Sequence, residues 1–234
     1  MKLSVVITVY NEKNTVLEAI NQIKQLNLEK QILVVDNCST DGTREILQGI
    51  NDPSLEIVYQ TSNHGYGSSI MTAARLAKGE YLYVHNSDLE YDPDCLYKML
   101  ELCQDQQLDA VFGSRLINRS GQSWLSIARQ RPYYLGTLIT TALINLLYHK
   151  KLTDIIGTRF YRVETLKKLN PRKMHIGFDF EVASKLCKLG CVIKEVEVKY
   201  KPRTVGKKVK PIDIFPAVWE IIRVKFTSTN SQPK

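Results

Sequence analysis

Oxygen-bearing side chains are concentrated in the stretch Asn86-Ser87-Asp88-Leu89-Glu90-Tyr91-Asp92-Pro93, directly after the β-branched and aromatic run Glu80-Tyr81-Leu82-Tyr83-Val84. Such a run reads as a strand, and the crevice beyond strand carboxyl ends is where open α/β sheets bind ligands. In an extended chain Asn86, Asp88 and Glu90 point to one side. Hard divalent cations take one or two protein carboxylates and complete their shell with phosphate and water oxygens, so the spacing suggests a Mg2+ or Mn2+ site at Asn86, Asp88 and Glu90. The competing reading is a polar turn closed by Asp92-Pro93.

The elements that must position this stretch begin with Leu3–Val9, almost entirely apolar and β-branched, the pattern of a strand buried on both faces of a parallel sheet. Tyr10-Asn11-Glu12 ends it. Val16, Ala19, Ile20, Ile23 and Leu26 then recur at helical spacing, with Thr15 and Glu18 placed as a capping box. Ile32–Val35 is a second buried strand, ending in the turn residues Asp36 to Thr43. Glu56–Tyr59 reads as a third. Gly65 and Gly67 lead into a helix carrying Ile70, Ala73, Ala74 and Ala77, where exposed backbone N–H groups would suit a phosphate and a plain helix-start turn is the alternative. The order β-α-β-α-β-α-β implies a parallel sheet with right-handed crossovers. No GxGxxG follows the first strand, which argues against a dinucleotide-dependent oxidoreductase.

A chain of 234 residues, 44% hydrophobic and 24% charged, suits one ordered α/β domain with an appendage. Its net charge of +8 points to anionic partners such as nucleotides, lipid phosphates or membrane surfaces. No RRM, KH or zinc signature supports nucleic acid as the partner. The five cysteines form no CxxC pair and are read as reduced thiols of a cytosolic protein. The apolar run at the N-terminus is too short for a signal segment.

Further on, Leu96, Met99, Leu100 and Cys103 share a helical face, and Asp109–Phe112 is strand-like. Gly113-Ser114-Arg115 follows, placing in a polar loop an arginine able to pair bidentately with a phosphate; a solvated surface arginine is the alternative. Tyr133–Tyr148 is the longest uncharged run, bracketed by Arg129, Arg131, Lys150 and Lys151. As a helix it reaches about 24 Å, short of the ~30 Å hydrocarbon core. It suits a helix lying in the interface of an anionic membrane, with a buried core helix as the competing reading. Val192–Lys199 reads as a strand, and residues 199–210 carry six basic side chains and no acid. Ile212, Phe215, Val218, Trp219, Ile222 and Phe226 then form a second amphipathic segment. A basic loop beside two amphipathic helices suits a lipid phosphate at a membrane surface, each Lys or Arg contributing about 1 kcal/mol toward an anionic leaflet.

Val5-Val6-Ile7-Thr8-Val9-Tyr10-Asn11-Glu12, Val34-Val35-Asp36-Asn37-Cys38-Ser39-Thr40-Asp41-Gly42-Thr43, Asn63-x-Gly65-x-Gly67 and Asn86-Ser87-Asp88-Leu89-Glu90-Tyr91-Asp92-Pro93 resemble, in order and spacing, the signature stretches of family 2 glycosyltransferases. Gly113-Ser114-Arg115, Leu152-Thr153-Asp154, Gly177-Phe178-Asp179-Phe180-Glu181 and Tyr200-Lys201-Pro202-Arg203 are similar to the dolichol-phosphate mannosyltransferase-like, polyprenyl-phosphate branch. The resemblance covers roughly residues 3 to 226. It implies a GT-A, Rossmann-like α/β fold: a mostly parallel central sheet flanked by helices, with C-terminal amphipathic, membrane-associating helices. On this reading residues 1–226 are one domain, 1–112 the nucleotide-binding half and 113–226 the acceptor half with the basic loop 199–210, followed by a polar tail, 227–234.

The resemblance further implies a metal-dependent inverting transfer from a UDP- or GDP-linked sugar to a polyprenyl phosphate at the cytoplasmic membrane face. Val9, Tyr10, Asn11, Glu12, Asp36, Asn37, Gly65, Asn86 and Ser87 would line the donor pocket, an Asp36 carboxylate being able to accept a nucleobase N–H. Asp88, with Asn86 and Glu90, would hold Mg2+ or Mn2+. Arg115, Arg131, Arg203, Lys207 and Lys208 would hold the acceptor phosphate, and Asp154, Asp179 or Glu181 would serve as base for a hydroxyl acceptor. The family pattern at the metal stretch is Asp-x-Asp, and Asn86 stands where the first Asp would be. That removes one negative charge and leaves open a catalytically silent sugar-nucleotide-binding protein; a separate alternative is a transferase acting on a growing glycan or other soluble acceptor.

Overall fold

The computed structural model describes residues 2–119, 129, 134–203 and 211–227. Seven consecutive buried residues, Leu3–Val9, form β1, and β2 (Gln31–Asp36) is buried along its whole length as well. With side chains covered on both faces, these strands need apolar residues at every position, which is why they read as runs and not as alternation. β3 (Leu55–Tyr59), β4 (Tyr81–Asn86), β5 (Ala110–Ser114), β6 (Arg159–Arg162) and β7 (Ile193–Glu197) complete a seven-stranded sheet in the order β3-β2-β1-β4-β6-β5-β7. All pairings are parallel except those of β6, which runs antiparallel to β4 and β5.

One face of the sheet packs on α1 (Val16–Gln25), α2 (Thr43–Gln48) and α4 (Cys95–Asp105), burying Ile7 and Tyr83 against Val16, Leu47 and Met99. The other packs on α3 (Tyr66–Leu76), α5 (Leu135–Tyr148), α6 (Val163–Leu169), α7 (Phe178–Lys188) and α8 (Ile214–Phe226), burying Val6 and Leu82 with Ile70, Ile144, Leu166, Val182 and Ile221. β2 and β3 lie on one side of β1 and β4 on the other, so the connections diverge between β1 and β4. This is the switch point at which open α/β sheets bind ligands. The register pairs Thr8 with Asn86 and Val9 with Asp36, bringing the carboxyl ends of β1, β2 and β4 level.

Two local expectations are corrected. Thr15 makes no side-chain cap to α1; its hydroxyl turns back to the Glu12 carboxylate at 3.1 Å, so the capping box is not formed. The Gly65 and Gly67 amides are not presented to a ligand either: they donate to Asn63 Oδ1 at 3.0 Å and to the Met174 carbonyl at 2.7 Å. Gly65 stands at φ +91°, and a Cβ on Gly67 would lie 2.2 Å from a ring carbon of Phe178. The glycine pair therefore serves the close approach of α3 to the segment leading into α7. Gly67→Ala is expected to destabilise the protein by about 2 kcal/mol through overpacking, read as a lower urea midpoint at unchanged slope; an unaltered midpoint contradicts this packing.

Candidate active site

The β1 and β4 ends deliver Glu12 and Asp88 to one crevice. The chain leaves β4 in a turn with Leu89 at φ +58°, so Asn86, Asp88 and Glu90 are not lined up by an extended strand as their spacing suggested. Asn86 Oδ1 accepts the Thr8 hydroxyl at 3.1 Å. Asp88 Oδ1 accepts the Glu90 amide at 3.3 Å. Glu90 is taken by the Tyr200 hydroxyl at 2.9 Å and the Arg203 amide at 3.0 Å, which fasten the strand end after β7 onto the turn after β4. Arg203, expected to face a phosphate, lies among carboxylates instead. Its guanidinium donates to both Glu12 oxygens at 3.0 and 3.2 Å and stands 3.9 Å from Asp88 and 3.9 Å from Glu90. Burial, reinforced by the Glu90 charge, raises the Asp88 carboxyl above its ordinary range.

Among the described residues no three His, Cys, Asp or Glu side chains are grouped to hold a metal by themselves. Asp88 with the neutral Asn86 oxygen nevertheless fits the habit of Mg2+ and Mn2+ of using one or two protein ligands and filling the rest from phosphates and water. Glu90 is committed to Tyr200 and Arg203, so it is removed from the proposed metal set in this conformation.

Asp179 opens α7 with its side chain 21% exposed, and its Oδ1 has no hydrogen-bond partner among the described residues. Burial raises its carboxyl, opposed by Arg159, whose Nε is 3.9 Å away. Arg159 is completely enclosed: it donates to the Ile155 and Gly157 carbonyls, and its guanidinium lies 4.9 Å from the Phe112 ring centre. Gly157-Thr158-Arg159 departs from the family pattern without indicating a role for this arginine; the local signal for it is a strand, Arg159-Phe160-Tyr161-Arg162, with aromatic residues between two arginines.

Three other expectations change. Arg115 is not in an open polar loop. It forms a two-pronged pair with buried Asp154 at 2.6 and 3.0 Å, bonds Thr137, and is sandwiched between Tyr134 and Tyr200, each ring centre 5.2 Å away. Burial alone would raise the Asp154 carboxyl, but the Arg115 charge and hydrogen bonds hold it below its ordinary value, and both its oxygens are taken by Arg115 and by the Ile156 and Gly157 amides. Glu181 is likewise structural: its buried carboxylate accepts the Arg172 and Lys173 amides at 2.9 and 2.7 Å and pairs with Lys185.

The expected donor pocket divides in the same way. Asp36 is fully buried, bonded to Arg44 at 2.7 Å and the Ser39 amide at 3.1 Å, contacts that shape the loop after β2. Asn37 ties that loop to Asn63 and His64, and Ser87 bonds the Thr8 carbonyl. Val9 is enclosed in the sheet and its carbonyl accepts the Asn37 amide. Tyr10, Asn11 and Asn86 are partly exposed at the crevice rim. Arg131, Lys207 and Lys208 lie outside the described residues.

His85, on β4 beside these groups, is buried and neither ring nitrogen has a partner among the described residues. Burial pushes its pKa down to about 4 from 6.5. The unfolded chain therefore binds a proton between these values and the folded chain does not. Stability is expected to fall by about 3 kcal/mol as the pH drops through that window. Urea unfolding of His85→Leu should lose this slope; a slope that persists contradicts the assignment.

A family model described as Glycosyl transferase family 2 matches residues 4–169. The chain is 26% identical over 216 residues to an undecaprenyl-phosphate mannosyltransferase of Micrococcus luteus, covering 88% of this chain and 86% of that one. It is 29% identical over 120 residues to a dolichol-phosphate mannosyltransferase of Pyrococcus furiosus, covering 50% of this chain and 34% of that one. Among solved structures, a mannosyltransferase of Pyrobaculum calidifontis in complex with GDP-Man and Mn2+ superposes with a TM-score of 0.63 at 17% identity, over 95% of this chain and 69% of that one. S. aureus TarS in complex with UDP-GlcNAc gives 0.62 at 20% identity, over 96% and 65%. At these identities the structural likeness concerns the fold, which is GT-A. With the family match extending over most of the sheet and both crevice strands, the chain belongs to glycosyl transferase family 2 and is a glycosyltransferase.

Proposed function

We propose that the enzyme moves a sugar from a nucleoside diphosphate to a polyprenyl phosphate at the cytoplasmic face of a membrane. The observation that carries this reading is the exposed apolar face of α5 and its continuation on α8. Thr137, Thr140 and Thr141 of α5 are buried, whereas Leu135, Ile139 and Leu146 are exposed, Leu146 by 73%. α8 packs beside it through the Tyr148 hydroxyl bonded to the Ile221 carbonyl, and displays Phe215, Trp219 and Phe226 at 72, 66 and 79% exposure. No helix among the described residues is long and apolar enough to cross a membrane. An apolar, tryptophan-bearing face with Lys150 and Lys151 at its border suits insertion at the level of anionic headgroups. The free cysteines accord with a reducing compartment.

In this scheme the donor enters between β1 and β4, with Tyr10, Asn11, Glu12 and Asn86 at its rim and Asp88, with Asn86, holding Mg2+ or Mn2+. A divalent cation bound there offsets charge on the leaving diphosphate. The acceptor phosphate is already anionic near neutral pH, so it attacks the anomeric carbon opposite the leaving group, with inversion and without a general base. Arg131, Lys207 and Lys208 supply its counter-charge, joined by Arg203 once its guanidinium leaves Glu12; Arg115 is reserved for Asp154. Asp179 favours a second reading, a saccharide hydroxyl acceptor, because its raised carboxyl and unpartnered oxygen are what a base requires.

Two outcomes are expected. Nucleoside diphosphate release from a panel of UDP- and GDP-sugars, GDP-mannose first, should depend on added short-chain polyprenyl phosphate and fall at least about 100-fold in Asp88→Ala. Release that needs only a soluble saccharide would favour the second reading, and Asp88→Ala at full rate would contradict the site. In vesicle sedimentation, Phe215→Ser with Trp219→Ser should weaken binding to anionic liposomes by about ten-fold or more, since each buried aromatic contributes about 1.5–3 kcal/mol; unchanged partitioning contradicts the membrane face.

A further inference from the structure

Among the described residues, Arg203 is a cation held by all three crevice carboxylates, and the way it is held is uneven. Only Glu12 meets it at hydrogen-bond length, 3.0 and 3.2 Å, whereas Asp88 and Glu90 each stand 3.9 Å away. The side chain is 24% exposed, so its guanidinium can return to water without crossing a packed core. Its backbone is fastened independently: the Arg203 amide and the Tyr200 hydroxyl both bond Glu90, the Lys201 amide bonds the Glu90 carbonyl at 2.8 Å, and Tyr91 bridges to Tyr200. The guanidinium can therefore leave while the chain that carries it stays in place.

Asp88 is both the nearest carboxylate to the expected cation position and one of the three that Arg203 neutralises. A divalent ion on Asp88 would stand within a few ångströms of the guanidinium, and two positive charges at that separation in a half-buried crevice repel strongly. With neither present, Asp88 and Glu90 would lose the guanidinium charge that stands 3.9 Å from each. We propose that Arg203 is the resident counter-cation of this site, so that its guanidinium and a divalent cation are alternative occupants of the field of Glu12, Asp88 and Glu90, and entry of the cation displaces Arg203. The displaced side chain is then presented to incoming phosphate. This rests on the reading above only in placing the cation at Asp88.

The competition is measured without turnover, by electron paramagnetic resonance of free Mn2+ titrated against the full chain at fixed low ionic strength and no nucleotide. Arg203→Gln should bind Mn2+ about ten-fold tighter than wild type, and Arg203→Lys, which keeps the charge, should stay close to wild type. Equal, weaker or absent Mn2+ binding by Arg203→Gln overturns the proposal. Should Arg203→Gln fail to fold by circular dichroism, the wild type still decides the matter. The Arg203 Nε–H NMR signal, assigned by its absence from Arg203→Lys, should exchange faster with water when Mg2+ is added, and an unchanged rate overturns the proposal. Sugar transfer alongside unaltered Mn2+ affinity would remove this inference and leave the transferase; tighter Mn2+ binding with no transfer from any donor would do the reverse.

Discussion

Three carboxylates cannot share a half-buried crevice without a cation. Glu12 and Asp88 come from the ends of adjacent parallel strands, and Glu90 from the turn that follows, so the sheet topology itself brings the negative charge together. The solution in this structure is a guanidinium from residue 203, delivered by the segment after β7 and anchored through Glu90. A site arranged this way is suited to a ligand that carries both charges, an anionic diphosphate accompanied by a divalent cation. On that proposal a cation held by Asp88 would take over the neutralisation, and the diphosphate would give the released arginine an anion to face.

Around that crevice, charged residues that suggest chemistry serve as framework. The Arg115–Asp154 pair joins the end of β5 to the loop before β6, and Asp154 also receives the Ile156 and Gly157 amides at 2.9 and 3.1 Å. Glu181 gathers two backbone amides and Lys185, and Arg223 of α8 stands 3.5 Å from it, which links the helix bearing the exposed Trp219 to the helix that opens with Asp179. Removing one member of such a pair leaves a buried charge without compensation, a larger loss than the net value of the pair. This is why loss of activity on substitution at Arg115, Asp154 or Glu181 does not by itself identify a group that touches substrate.

The strands were legible because doubly covered strands need unbroken β-branched runs, and Leu3–Val9 matches its observed limits. The crevice was legible because Glu12 and Asp88 each follow such a run directly. What escaped were pairings between residues far apart in the chain. Arg115 and Asp154 are separated by 39 positions and Arg203 and Glu12 by 191, and nothing local distinguishes a paired arginine from a solvated one. β6 was missed because Arg159 and Arg162 bracket only two aromatic residues, and burial of Arg159 depends on carbonyls that the loop before it turns inward. The uncharged run of α5 was visible, but the burial of its threonines depends on Arg115 and Ile155 bonding to Thr137 and Thr141, which leaves Leu135, Ile139 and Leu146 exposed.

The most direct test is anomalous diffraction at the manganese edge from crystals grown with Mn2+ and UDP or GDP. The account predicts one strong peak about 2.1 Å from an Asp88 carboxylate oxygen, bridging to the nucleotide phosphates, with the Arg203 guanidinium withdrawn from Glu12. A manganese peak away from the β1 and β4 ends, or nucleotide bound there with Arg203 still seated on Glu12, would contradict it.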